Sequence, residues 1–307
     1  MSSLSRPGVA PRSTVTVFRL AALFTFLAVV MGSVVCATES GAACPTWPGC
    51  YPGQVTPGLE VNPLIEFTHR VVAVLAGPLV LAAAVLSSLL SRRHGVTDRG
   101  VRVLPWLALV GAIAAGVFGR LVVLTGIPVW VGVVDLGCAL GAMIAMTVAT
   151  VRLERPPRQS DRSGTTRAAF AALAVIVPMH LLGIVVAGAG SYTRCMGWPA
   201  WQIGDADGLG WLQAVRVALA VVGVVLVVTT ALRAAWEPAV AGWGRTLLIV
   251  LAGEMLLGAL LVTRGLTALT AAAYSIMAVT LVVCLALTAA TASTQTEATE
   301  EAVPAEV

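Results

Sequence analysis

The chain has no lysine, few charged residues and only three histidines. Charged residues make up 11% of its 307 residues, whereas a soluble domain carries roughly 25%. Hydrophobic residues account for 58%, and the mean hydropathy is +0.92. This composition excludes an ordinary soluble domain and predicts an all-α, polytopic membrane protein. The net charge is +4, and all the strongly basic residues are arginines. We interpret this charge as a consequence of membrane topology and predict no nucleic-acid partner from it.

Eight apolar segments are long enough to cross a membrane, which takes about 20 residues each. The first follows several arginines, as a signal peptide would, but seven more follow it, so we predict a retained first span. The segments cover residues 17–37, 65–90, 103–125, 129–151, 168–189, 211–232, 246–263 and 267–290.

The arginines alternate between loops. Most lie in the N-terminal segment and in residues 91–102, 152–167 and 233–245, whereas 38–64 and 190–210 together hold only Arg194. The positive-inside rule therefore predicts a multi-pass protein of the cell membrane, with both termini in the cytoplasm and the cysteine-bearing loops outside.

Two short matches indicate an internal repeat. Gly119–Gly126 resembles Gly258–Gly265, 139 residues further on, and Gly32–Val35 resembles Gly183–Val186 at an offset of 151. Two pseudo-symmetric four-helix bundles, related by an axis along the membrane normal, fit both matches. The predicted parts are a cytoplasmic segment 1–16, an N-terminal half 17–151 with outer loop 38–64, a cytoplasmic linker 152–167, a C-terminal half 168–290 with outer loop 190–210, and a disordered acidic tail 291–307.

Glu66 and His69 are the strongest candidates for chemistry. They lie three residues apart at the start of an apolar run, so they share one face of a helix, and Arg70 follows directly. A carboxylate and an imidazole are costly in hydrocarbon unless they bind a ligand or each other. Of the other histidines, His94 is predicted to be solvated in an arginine-rich loop. For His180, inside a span, both a functional and a packing role stay open.

Cys44 and Cys50 lie six residues apart in the first outer loop, where a disulfide is geometrically easy and chemically permitted. A structural staple and a redox-active pair both fit this spacing. Cys138 and Cys284 lie in apolar runs and are predicted to be buried free thiols.

Other outer-loop residues have simpler interpretations. Cys195 could pair with Cys36, stay free or join another chain, and the sequence leaves these alternatives open. An aromatic belt at the outer interface is predicted from Trp47, Trp198, Trp201 and Trp211.

The loop Cys44–Cys50 (CPTWPGC), followed by Ile65–Arg70 (IEFTHR), resembles the heme A synthase (CtaA) family. The motif Val122–Gly126 and the repeated four-helix halves are similar to that family as well. The resemblance implies oxidation of a methyl group of heme O to give heme A for cytochrome oxidase. It also implies a substrate heme in the N-terminal half and a heme b in the C-terminal half. By the same resemblance, Glu66 serves the chemistry, His69 is an axial ligand of heme iron, and the two loop cysteines form a pair.

The chain departs from this family at three of the four expected histidines. Alignment by motif and repeat places Asp135, Val215 and Tyr274 at those positions. His69 could still bind heme iron with Asp135 or water opposite. In the second half Val215 cannot ligate, whereas Tyr274 in principle can. His180 is an alternative ligand.

Arginines are further candidates for binding the cofactor, because their planar fork suits a heme propionate. We assign this role to Arg70 and Arg120 and consider it for Arg216 and Arg264, with snorkelling to the interface as the alternative. Glu254 needs a partner such as Arg216.

The leading hypothesis is therefore a divergent heme A synthase family member that binds heme b, heme O or both, with iron held through the heme. If active, it would be an oxidoreductase. The alternatives are a non-catalytic heme carrier or oxidase assembly factor, and a small-molecule transporter. The expected partners are the heme substrate, heme O synthase, cytochrome oxidase assembly proteins and membrane lipid; a homo-oligomer is left open.

Overall fold

The computed structural model describes residues 10–93, 98–125, 129–155, 163–188, 191, 194–199, 210–265 and 267–294. Within these residues the chain forms eight α-helices and no β-strand. Each helix is long and apolar enough to cross a membrane, which confirms the predicted all-α, multi-pass fold. The helices are α1 Arg12–Ala37, α2 Val61–Arg93, α3 Arg99–Thr125, α4 Val129–Glu154, α5 Gly164–Val186, α6 Gly210–Ala235, α7 Ala241–Arg264 and α8 Ala268–Ala292.

Most helices extend a few residues beyond the apolar runs that predicted them. The N-terminal segment gives way to α1 at Arg12, and the first outer loop ends where α2 begins at Val61. Pro63 does not interrupt α2. Proline lacks a backbone N–H, but the N–H groups in the first turn of a helix have no partner within the helix in any case. Helix α5 begins at Gly164, inside the linker predicted for residues 152–167. The Ser163 side chain caps this helix by accepting a hydrogen bond from the Thr166 amide at 3.1 Å.

Three predictions fall largely or wholly outside the described residues. They are the solvated His94, most of the outer loop 190–210 and the tail beyond residue 294.

The helices contact one another in the same cyclic order within each group of four. In the N-terminal half (α1–α4) and in the C-terminal half (α5–α8), each helix packs against the next and the fourth packs against the first. Thus α2 and α4 occupy opposite corners of the first group. In the second group the opposite corners α6 and α8 also touch. This order is what the predicted repeat requires, while the pseudo-symmetry itself stays a prediction.

Helix α8 joins the two halves. It packs against α1 and α4 as well as against α5 and α7. Of the residues in its most apolar stretch 72% are buried inside the protein, compared with 6% for α3. Val29 and Met143 of the first half share one hydrophobic core with Leu281 and Leu285 of α8. The halves therefore pack through a continuous apolar interior.

A disulfide also links the halves. Cys36, near the end of α1, is bonded to Cys195 between α5 and α6, with an S–S distance of 1.95 Å and a Cα–Cα distance of 5.5 Å. Three alternatives were open for Cys195, and the structure shows the one in which it pairs with Cys36. Cys138 and Cys284 are both free, as predicted, but only Cys284 is buried; Cys138 is partly exposed.

Candidate functional site

The segment between α1 and α2, residues 38–60, folds over one end of the N-terminal half; we call it the cap loop. Cys44 and Cys50 are fully buried in it, with their Sγ atoms 2.10 Å apart in a disulfide. The Thr46 hydroxyl donates to the carbonyl of Gly49 at 3.0 Å across this small ring. The predicted cysteine pair is therefore present, and it shapes the tip of the cap loop.

Glu66 attaches the cap loop to α2. Its side chain is 3% exposed. Oε2 accepts from the Cys44 amide at 2.7 Å, and Oε1 accepts from the Arg70 guanidinium one turn further along the helix. A buried carboxylate requires such compensation, because removing its charge from water is costly. The residue predicted to serve the chemistry thus already has a partner for each of its oxygens.

Arg70 binds the cap loop more extensively than Glu66 does. Its Nη1 donates to the carbonyl oxygens of Thr46 at 2.6 Å and Gly49 at 2.8 Å, and its Nη2 donates to that of Cys44 at 2.9 Å. The planar guanidinium is well suited to several acceptors at once. The sequence predicted a propionate partner here; the spacing of four from Glu66 would have indicated the ion pair instead.

His69 lies on the same helix, partly buried. Among the residues that the structure describes, its ring has no hydrogen bond or ion pair. Gly32 of α1 permits its close approach, because a Cβ at that position would lie 3.2 Å from Nε2. An imidazole with no protein partner is available as a ligand.

The cap loop reaches from α2 to α3. Arg120 near the end of α3 lies over the Trp47 ring, 5.2 Å from its centroid, in a cation–π contact. A Cβ at the neighbouring Gly119 would meet nothing within 4 Å, so the space beside this turn is open. Asp135 is partly buried on α4, at the opposite corner from α2, and makes no hydrogen bond or ion pair with a described residue.

The corresponding region of the C-terminal half is filled by protein. Arg216 is fully buried, and donates from Nε to the carbonyl of Met179 at 3.2 Å and from Nη2 to that of Gly197 at 2.7 Å. Tyr274 is fully buried too, and its hydroxyl donates to the carbonyl of Trp198 at 3.3 Å. The hydroxyl predicted to contribute to cofactor binding is thus engaged with the backbone.

Val215 does not face the interior of the C-terminal half. Val215, placed opposite His69, is 41% exposed, whereas Arg216 and Gln213 are buried. The inward pair that repeats the Glu66/His69 spacing is therefore Gln213 and Arg216.

Two ionisable side chains of the C-terminal half lie in its interior. His180 is fully buried, and its ring meets the edge of the Trp198 indole at a centroid distance of 6.1 Å. Neither its ring nitrogens nor the carboxylate oxygens of the fully buried Glu254 have hydrogen-bond partners within the described ranges. The predicted pairing of Glu254 with Arg216 is wrong. Trp198, only 2% exposed, is likewise no member of an interfacial belt.

Comparisons with known proteins agree with the resemblance seen in the sequence. The family model COX15-CtaA, cytochrome oxidase assembly protein, matches residues 16–286. A heme A synthase of Exiguobacterium sp. is 26% identical over 56% of this chain and 57% of its own length. That of Exiguobacterium sibiricum is 23% identical over 67% of this chain and 70% of its own. That of Shouchella clausii is 42% identical, but over 22% of this chain and 23% of its own length.

The chain thus spans little more than half the length of the first of these relatives. The family model, in contrast, extends over most of the chain. The protein therefore belongs to the COX15-CtaA family of cytochrome oxidase assembly proteins.

Proposed function

We propose that this protein acts in heme A biosynthesis and binds one heme in its N-terminal half. The observation that carries the proposal is the state of His69. This imidazole is partly buried beside the cap loop, packs against Gly32, and has no hydrogen-bonding partner among the described residues. An ionisable side chain within a membrane-spanning helix is expected to serve a function, such as binding a ligand.

The residues of this half fit a porphyrin held from one side. His69 would bind the iron, and Asp135 or water would take the opposite position. The open space at Gly119 and the exposed Arg120 nearby suit the edge of a large planar ligand and its propionates. No cluster of three or more His, Cys, Asp or Glu side chains occurs in the described part of the chain, so the iron would be held through the heme. When bound, the heme would supply a redox-active iron centre.

The cap loop and Glu66 would prepare the site. Both oxygens of Glu66 already accept hydrogen bonds, from Cys44 and from Arg70. We therefore assign Glu66 a positioning role: it fixes the cap loop above His69 and thereby keeps bulk water out of the site. The cap loop would be the outer, Cys-bearing side of the membrane protein.

A non-catalytic heme carrier or oxidase assembly factor is the second candidate. The filled interior around Arg216 and Tyr274 favours it, because it leaves no evident place for a second heme. The transporter alternative gains no support from the described contacts.

Replacing His69 by alanine is expected to lower the retained heme roughly tenfold or more, because the imidazole assigned to the iron is lost. The measurement is the reduced-minus-oxidised absorbance spectrum, with heme extraction, of protein purified from heme-replete membranes. Thr68→Ala, an exposed neighbour whose hydroxyl bonds only its own helix, is the matched control and should retain heme. Unchanged heme in His69→Ala would refute the ligand assignment.

Expression in a strain lacking heme A synthase separates enzyme from carrier. Heme A in the extracted pigments would identify an oxidase; heme bound to the protein without any heme A would favour the carrier.

A further inference from the structure

A segment of irregular backbone lies inside the C-terminal half. All five residues from Cys195 to Pro199 are buried, although they belong to no helix; we call this the plug segment. Irregular backbone within a membrane protein needs partners from the protein, because lipid offers none.

Side chains of α6 and α8 bind three carbonyl oxygens of the plug segment. The bonds run from Ser275 Oγ to Cys195 O at 2.6 Å, from Arg216 Nη2 to Gly197 O at 2.7 Å, and from Tyr274 Oη to Trp198 O at 3.3 Å. The resemblance to the heme A synthase family implies axial ligands on the second and fourth helices of a half, which here are α6 and α8. In this half, those helices hold backbone carbonyls.

The Trp198 indole fills the interior between these helices. The indole packs directly against α6, because a Cβ on Gly223 would lie in ordinary contact with it, at 3.5 Å. His180 of α5 packs against it edge-on. Beside it, the Tyr274 hydroxyl lies 3.1 Å from where a Cβ on Gly258 would stand. Aromatic rings thus occupy the space that a flat ligand would need.

The repeat allows a direct comparison of the two halves. Gly119 and Gly258 are matched positions of α3 and α7. A side-chain atom added at Gly119 would meet nothing within 4 Å, whereas at Gly258 it would meet the Tyr274 ring. The first half is open at this position and the second half is filled.

We propose that the plug segment takes the place of a second cofactor, so that the C-terminal half holds no heme and serves to support the N-terminal half. The Cys36–Cys195 disulfide fastens the plug segment to the end of α1. This inference concerns the C-terminal half alone and does not depend on heme binding in the other half.

Hydroxyl-radical footprinting of the full-length protein in detergent tests the position of the plug segment. Trp47 is 47% exposed and Trp198 is 2% exposed, so one unmodified chain contains both the probe and its control. We expect oxidation of Trp47 to be several-fold faster than that of Trp198. Similar rates for the two indoles would overturn the proposal. This readout stands even if the purified protein carries no heme, an outcome that would contradict only the proposed function.

The heme content of two variants tests the absence of a second cofactor. Tyr274→Phe keeps the ring but removes any ligating oxygen, and His180→Gln removes the buried imidazole. Heme is counted per monodisperse chain, so that misfolded protein does not enter the ratio. We expect both variants to match the wild type, at about one heme per chain if the N-terminal site is loaded. About two hemes in the wild type, or a loss of heme in either variant, would overturn the proposal.

Discussion

Replacing Arg70 by methionine is expected to destabilise the protein by about 3–5 kcal/mol, the range found when one member of a buried ion pair is removed. The change would leave the Glu66 carboxylate buried without a countercharge. It would also deprive the carbonyl oxygens of Cys44, Thr46 and Gly49 of their donor. The measurement is the free energy of unfolding in detergent, followed by tryptophan fluorescence.

Arg120→Met is the matched control. Arg120 is exposed and contacts the cap loop only through the Trp47 ring, a contact worth about 0.5–1 kcal/mol at such a site. The double variant Glu66→Gln/Arg70→Met should recover part of the loss, because a neutral amide needs no countercharge. If Arg70→Met were no more damaging than Arg120→Met, the ion pair would not be what anchors the cap loop.

Removing the Cys36–Cys195 disulfide is expected to cost up to about 5 kcal/mol, compared with about 2 kcal/mol for Cys44–Cys50. The difference follows from sequence separations of 159 and 6 residues, because the longer loop restricts the unfolded chain more. Cys36→Ser should therefore lower the unfolding temperature more than Cys50→Ser does. Equal effects would contradict this account.

A cleavage experiment tests the same bond without any reference to stability. A protease site inserted between Arg155 and Ser163 separates the two halves in sequence. After cleavage, the fragments should migrate together on a non-reducing denaturing gel and separate once reductant is added. Cys195→Ser should separate them without reductant, whereas the free thiol change Cys138→Ser should not. Separation of the fragments in the unreduced wild type would show that the bond is absent.

The number and kind of helices could be predicted because a membrane span needs a long apolar run. Helix ends could not be predicted in the same way, since a helix continues past the apolar core until a cap or a breaker stops it. Val61 and Pro63 illustrate this: neither extends an apolar run, yet both belong to α2.

The inward face with Glu66 and His69 followed from helical spacing alone. Matching Arg216 with Arg70 placed Val215 opposite His69, but neighbouring side chains of a helix point about 100° apart. Val215 therefore faces outward and Arg216 inward. The plug segment and the bond between Cys36 and Cys195 join parts far apart in sequence. Local spacing carries no information about such contacts.

The burial of α8 bears on how the protein is made. This helix packs against α1, α4, α5 and α7, yet the ribosome completes it after all seven others. Until then, the surfaces of α1 and α4 that will meet it face lipid or the insertion machinery. That delay costs little, because lipid is as apolar as a helix partner and no hydrophobic force drives premature association. The first-made half, which includes His69, thus reaches its final packing only when translation has passed Ala292.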